Sequence, residues 1–283
     1  MMKLGFFSPE ISGTDVEEVF AKARTLGFSQ VQYDFFTSHH EEMPASFFPD
    51  ELARIAAAAK ENGIEITAIN GTFNMVDPDR ERLEEYIRRF TRIAEAAAYL
   101  GCKIVTLCTG SKSPEGMWRY SPETAKEEVF TELLETTRKI LPVAEKFDLI
   151  LGVETEASNV VFTPERTRRY LDAIGSERLK VIMDCANLFP AGTARREQVD
   201  DTIRRAFDLL GKDLVLAHGK DVAEGDTVRF ASPGMGIVNY DLYFELLKSI
   251  GYTGGLILHG IHAPAEFEPS IEIIRNKLAK ADL

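Results

Sequence analysis

Eight times along this 283-residue chain, a short apolar run is followed by a longer segment whose apolar residues recur at helical spacing. The runs read as strands at residues 3–8, 31–36, 64–70, 103–108, 149–156, 179–184, 214–218 and 256–259. Continuous Val, Ile and Leu marks strands buried on both faces, as in a parallel sheet. The first helix carries Val16, Val19, Phe20 and Ala23 on one face, behind a capping box formed by Thr14 and Glu17. A long helix over about 79–99 carries Leu83, Ile87, Phe90 and Ile93 at the same period. Six of the first seven helices stop at a glycine just before the next strand: Gly27, Gly63, Gly101, Gly175, Gly211 and Gly251. Glycine takes the left-handed conformation that closes a helix. Connections from helix to strand are short, and those from strand to helix are longer and more polar. That asymmetry predicts an α/β fold, a single (β/α)8 TIM barrel whose working loops follow the strand C-terminal ends. An open doubly wound sheet would need a glycine-rich phosphate loop after the first strand, and Gly5-Phe-Phe-Ser-Pro is not one. No linker or low-complexity tract interrupts the pattern, so one domain is expected over residues 1–283.

Charge and cysteine usage narrow the function classes. The formal net charge is −12, which argues against nucleic acid and against anionic membrane surfaces. No apolar run approaches the ~20 residues of a membrane span, and the N-terminus enters a strand without a signal-peptide apolar region. The three cysteines, Cys102, Cys108 and Cys185, show no C-x-x-C spacing, which suits a reducing compartment. A cytoplasmic protein is expected.

Four consecutive strands end on residue types that bind metals: Glu154, Asp184, His218 and His259. Side chains alternate along a strand. If Glu154 points into the barrel, so do Gly152 and Ile150, and the same count turns Asp184, His218 and His259 inward and Cys185 outward into the core. Parity leaves their height open, because alternate strands supply alternate layers. A single strand-end carboxylate is usually a solvated residue or a helix cap, and a single His a structural one. Four together point to a divalent-metal site. Two carboxylates with two imidazoles suit Mn, Zn, Fe or Co better than Mg or Ca.

These ends lie within the motifs Gly-Val-Glu154-Thr-Glu156, Val-Ile-Met-Asp184-Cys-Ala-Asn187, Ala-His218-Gly-Lys220-Asp221 and Pro233-Gly-Met-Gly236. With Asn70-Gly-Thr-Phe-Asn74 and Leu107-Cys-Thr-Gly110, they make the chain resemble, over nearly its whole length, the xylose isomerase-like TIM-barrel superfamily. This is the sugar phosphate isomerase/epimerase group, which includes ketose 3-epimerases, hydroxypyruvate isomerase and inosose dehydratase. The resemblance implies one divalent metal on Glu154, Asp184, His218 and a last residue on strand eight. Relatives carry Glu there and this chain has His259. In the epimerases and isomerases the strand-five and strand-eight glutamates also transfer protons, whereas a metal-bound His is a poor base. Asn187 stands where many relatives place a substrate-contacting His.

The expected activity is a metal-dependent isomerase or epimerase, acting on a small sugar or polyol-derived hydroxy-carbonyl compound by enediolate chemistry. Two alternatives stand beside it: a sugar or polyol dehydratase on the same barrel, and a non-catalytic carbohydrate- or metal-binding barrel. An apurinic endonuclease shares the fold but needs more His ligands than five histidines comfortably supply. Glu154 is the first candidate base, with Glu156 as a backup of the same parity. Lys220 and His262 are candidates for the return proton, although Lys220 also reads as a solvated pair with Asp221. Asn187, Trp118, Asn70 and His39 are candidate substrate contacts, and Tyr120 could share the apolar wall with Trp118. The bland readings are a dimer or packing contact for Trp118, which is compatible with a homo-oligomer, and turn formation for Asn70 and Asn74.

Overall fold

The computed structural model describes residues 2–41 and 43–283. Eight parallel strands close a barrel: β1 (Leu4–Phe7), β2 (Gln30–Tyr33), β3 (Glu65–Asn70), β4 (Ile104–Leu107), β5 (Ile150–Glu154), β6 (Leu179–Asp184), β7 (Leu214–Gly219) and β10 (Leu256–Leu258). Around them run α1 (Val16–Thr25), α2 (Glu51–Asn62), α3 (Arg80–Tyr99), α4 (Glu127–Lys146), α5 (Pro164–Ile174), α6 (Arg196–Leu210), α7 (Tyr240–Ser249) and α8 (Phe267–Ala281). This is the expected (β/α)8 barrel. The remaining strands, β8 (Asp221–Val222) and β9 (Phe230–Ala231), pair antiparallel in the loop after β7. Strands of two residues carry no readable period, so this ribbon is absent from the sequence reading. None of the helices among the described residues is long and apolar enough to cross a membrane.

Local chemistry moves several predicted boundaries. The second strand ends at Tyr33 rather than Phe36, because the Asp34 carboxylate accepts from Phe36 N and caps a 3-10 turn over Phe35–Ser38. The first helix is capped by Asp15 rather than Thr14. Asp15 accepts from Glu18 N at 2.9 Å, and Glu18 reaches back to Thr14 N at 2.8 Å. The predicted Thr14–Glu17 box does not form; Asp15 and Glu18 make a related pair one residue on, and Glu17 pairs with Arg54 instead. Five of the six helix-closing glycines are left-handed, but Gly211 has φ −55° because the chain runs on into a 3-10 turn. After α4, where no glycine stands, Asp148 takes φ 54° in its place.

The core has two parts. Most buried apolar side chains lie between the strands and the helices, Cys185 among them. A separate cluster of Ala68, Ile182, Leu216 and Ile257, with Ile104 against it, fills the barrel interior. The inward parity assigned to Ile182, Leu216 and Ile257 is thus observed. Glycine on β1 and β5 makes room for these branched side chains: a Cβ at Gly5 would come within 2.4 Å of Ile257 Cδ1, and one at Gly152 within 2.9 Å of Ile182 Cγ1. This apolar plug closes the barrel below the strand ends, so polar side chains one layer higher face an open mouth.

Candidate active site

Above the plug lies a cavity of about 460 Å³, lined by strand ends and the loops that follow them. At its floor β6 and β7 pair with Asp184 opposite His218. Glu154 starts lower, opposite Ile182, and its longer side chain closes the gap. His218 Nδ1 lies 3.5 Å from Glu154 Oε1 and 3.5 Å from Asp184 Oδ2. The ligand atoms of Glu154, Asp184 and His218 all fall within 4.8 Å of one another. Tyr243 of α7 ties the ends of the two strands together, its hydroxyl 2.9 Å from Met183 O and 3.2 Å from His218 O.

His259, predicted as the fourth member, is not in this group. Register is the reason. Ile257, not His259, pairs with His218, so the His259 backbone stands two residues further along, ~7 Å at strand rise, and its ring meets that of His218 edge to face with centres 5.7 Å apart. Its Nδ1 is turned to Glu10 Oε1, 2.7 Å away.

The three grouped side chains fit a divalent cation. Asp184 Oδ2 and His218 Nδ1 are buried and make no hydrogen bond, an arrangement that is costly unless a cation serves both. His218 Nε2 is 2.8 Å from Gln32 Oε1. The amide oxygen accepts, so Nε2 carries the proton and the Nδ1 lone pair faces the carboxylates. Without a metal, burial opposes a charged His218, yet the Glu154 and Asp184 carboxylates win and push its pKa up to about 9. Burial also opposes ionisation of Asp184, and the Lys220 ammonium and His218 hold its carboxyl low nonetheless. The pocket thus demands positive charge where a metal would sit.

The other predicted residues divide. Asn187 donates to Glu154 Oε1 at 2.7 Å and accepts from Lys220 Nζ at 3.0 Å. The solvated Lys220–Asp221 pair does not form. Lys220 is buried with its ammonium 3.5 Å from the centre of the Phe230 ring. Asp221 instead accepts backbone N–H bonds from Val222, Gly234, Gly236 and Val238, and so holds the ribbon that carries Phe230. Glu156 lines the cavity and accepts from Ser158 N and Asn159 Nδ2. Burial pushes its pKa up to about 7. Trp118 lines the cavity, half exposed, while Tyr120 lines a neighbouring cleft. Asn70 also lines the cavity, donating to Asp34 Oδ2 at 2.6 Å. Asn74 is a loop staple, bonded to both the N–H and the carbonyl of Ser111.

His39 is elsewhere. It adopts φ 64° and donates from Nε2 to Thr14 O, beside a separate cleft with Phe48 and Arg54. His262 turns its ring to Phe230 O, outside the cavity lining. Sequence reasoning missed Gln32, Asp34 and Glu10. Gln32 left one signal, a polar residue inside a strand that is buried throughout. Glu10, in a short turn after β1, left none.

The chain's relatives share this architecture. It is 21% identical over 237 residues to the inosose dehydratase of Glaesserella parasuis serovar 5 (strain SH0165), covering 78% of each chain. Its fold matches the apo 3-keto-D-glucoside 4-epimerase YcjR from E. coli with a TM-score of 0.72 at 20% identity, over 100% of this chain and 99% of that one. It also matches the IOLI protein with a bound zinc atom, with a TM-score of 0.72 at 17% identity, over 99% and 98%. The family model described as xylose isomerase-like TIM barrel matches residues 20–277. The chain belongs to the xylose isomerase-like TIM barrel family.

Proposed function

We propose that the protein is a divalent-metal-dependent isomerase or epimerase of a small sugar or polyol-derived hydroxy-carbonyl compound. One observation carries this reading: half-buried Glu154 and buried Asp184 and His218 converge at a barrel mouth, with Asp184 Oδ2 and His218 Nδ1 making no hydrogen bond. The donor set, two carboxylates and one imidazole, favours Mn, Zn, Fe or Co, and the zinc in the IOLI protein supports the same class. Such an ion, held by Glu154, Asp184 and His218, supplies the positive charge that polarises a carbonyl.

The chain's own residues do the rest. Glu154 presents a carboxylate to the cavity, and its second oxygen is free of the Asn187 bond. It takes the proton next to the carbonyl. Glu156 stands behind it as a second carboxylate. Asn187 aligns Glu154 with the Lys220 ammonium, which sits where negative charge develops on substrate oxygen. Phe7, Phe36, Trp118 and Phe230 form apolar walls against the carbon face of a sugar, while Asp34 and Asn70 offer hydroxyl contacts. Cys102 and Cys185, buried thiols outside any disulfide, support a cytoplasmic setting.

The inosose dehydratase relative favours a second reading, elimination of water from a polyol ketone by the same machinery. The test is a screen of Mn-, Zn- and Co-loaded protein against D-tagatose, 3-keto-glucosides and inosose. Epimer formation supports the first reading, and loss of water supports the second. No turnover with any metal would leave a binding barrel.

A further inference from the structure

We propose that the substrate is a glycoside, a keto sugar joined to a second sugar ring, and that the second ring sits in a cleft that adjoins the metal cavity at Thr72. The inference deepens the metal-dependent reading above and rests on it for the place of the reacting ring.

The cleft has a volume of about 550 Å³ and is lined by the loops that follow β3 and β4. Thr72 lines both this cleft and the cavity of Glu154 and His218. The boundary continues through the loop after β4, where Met117 lines the cleft and Trp118 lines the cavity. The cleft of Tyr120 and Phe162, by contrast, shares no residue with the metal cavity. Thr72 is only 7% exposed, and its hydroxyl makes no hydrogen bond among the described residues. A polar group so buried is normally paired. This one stands where two cavities meet, and a ligand that spans them gives it a partner.

The cleft is preformed. Asn74 donates from Nδ2 to Ser111 O at 2.9 Å and accepts from Ser111 N at 3.1 Å, which pins the two loops together. Gly110 permits that approach, because a Cβ there would collide with Asn74 Oδ1. Asp77 is held by Arg82 through two bonds of 2.7 Å. An entering ligand has little chain left to order, which favours binding.

The lining selects a neutral, hydroxyl-rich ring. Tyr86 and Met117 offer apolar surface to the C–H face of a sugar, and Ser113 and Glu115 offer polar oxygens to its hydroxyls. A phosphate does not fit. The lining holds three carboxylates, Glu41, Asp77 and Glu115, against one guanidinium, Arg82. Arg82 is already committed to Asp77, and Glu41 to Arg89 of α3. Glu115 has no cationic partner among the described residues. The excess negative charge repels an anion and accepts hydrogen bonds from hydroxyls.

The experiment titrates wild type, Glu115→Trp and Thr72→Val, each loaded with Mn2+ and again stripped with a chelator. The probes are D-fructose, D-fructose 6-phosphate and three glucosyl-fructoses of different linkage: turanose, maltulose and leucrose. Heats of binding give each Kd. In wild type at least one glucosyl-fructose is expected to bind about tenfold or more tighter than D-fructose. In stripped protein the phosphate should bind no tighter than D-fructose. Glu115→Trp fills the cleft and should abolish the gain, whereas Thr72→Val keeps the volume and should reduce it about 2–10-fold. Each variant is first checked for the wild-type melting transition, and where one fails the other decides. Equal affinity for D-fructose and every disaccharide, tighter binding of the phosphate, or a gain untouched by the variants overturns the proposal. Turnover of the same panel tests the metal-dependent reading separately. If nothing is turned over, that reading fails, while a disaccharide gain that persists in stripped protein still supports the cleft, because none of its lining residues belongs to the metal-binding group.

Discussion

Nε2 of His218 stands 2.8 Å from Oε1 of Gln32, across 186 residues of chain. The amide selects which ring nitrogen keeps its proton, and so turns the other nitrogen's lone pair toward Glu154 and Asp184. Gln32→Leu should therefore weaken Mn2+ or Zn2+ affinity about 10–100-fold while the barrel stays folded. Competition with a chromogenic chelator measures this directly. Undiminished affinity would show that His218 chooses its tautomer without Gln32.

Metal binding should also appear as stability. A ligand that binds only the folded state adds RT ln(1 + [L]/Kd), about 2.7 kcal/mol at a hundredfold excess over Kd. Wild-type protein stripped with a chelator should melt lower than protein reloaded with Mn2+. Asp184→Ala should lose this difference, because it removes one of the two partnerless ligand atoms. A variant that still responds to Mn2+ would place the metal elsewhere.

Asn187 joins Glu154 to Lys220 through 2.7 Å and 3.0 Å bonds. Asn187→Leu keeps the volume and removes both. The loss of a hydrogen bond to a charged group is about 1.5–3 kcal/mol. A tenfold or greater fall in kcat/KM is expected, with metal content unchanged. An unaltered rate would reduce Asn187 to packing.

Tyr243 ties the ends of β6 and β7 through Met183 O and His218 O. Tyr243→Phe leaves buried carbonyls short of a donor and should cost about 1–3 kcal/mol of stability, read from urea unfolding at constant m. A variant as stable as wild type would mean that the strands hold their own ends.

Burial raises the pKa of Asp34 above its ordinary value, against the opposing bonds from Phe36 N and Asn70. A carboxyl raised in the folded state favours folding while it is neutral. That contribution is present below the unfolded pKa of about 3.9 and is lost as pH rises through the folded pKa. Asp34→Asn should therefore gain in relative melting temperature from pH 4 upward. A difference between the two proteins that is constant with pH would contradict the shift.

Much of the site was legible because parallel strands bury both faces and alternate strictly. Glu154, Asp184 and His218 could be assigned inward from Gly152, Ile182 and Leu216 alone. Asn187 and Lys220 came from motif resemblance, and their mutual bond did not. The solvated Lys220–Asp221 pair failed because neighbours in sequence are not neighbours in side-chain space: Asp221 closes a backbone ring while Lys220 turns inward. His39 failed because nothing in the residues announces a left-handed φ after a 3-10 turn.

By itself the sequence determined the barrel, its order of strands and helices, and the parity of each strand end, because these follow from local periodicity and helix-closing residues. It did not determine height. Stagger between strands is a property of the closed sheet, and the pairing of Ile257 with His218 sets His259 one step further along the mouth, its ring edge to face with His218 rather than among the grouped ligand atoms. Nor did it determine partners that meet only on closure. Gln32 reaches His218, and Glu10 reaches His259 across 249 residues, because the first strands of the barrel lie beside the last.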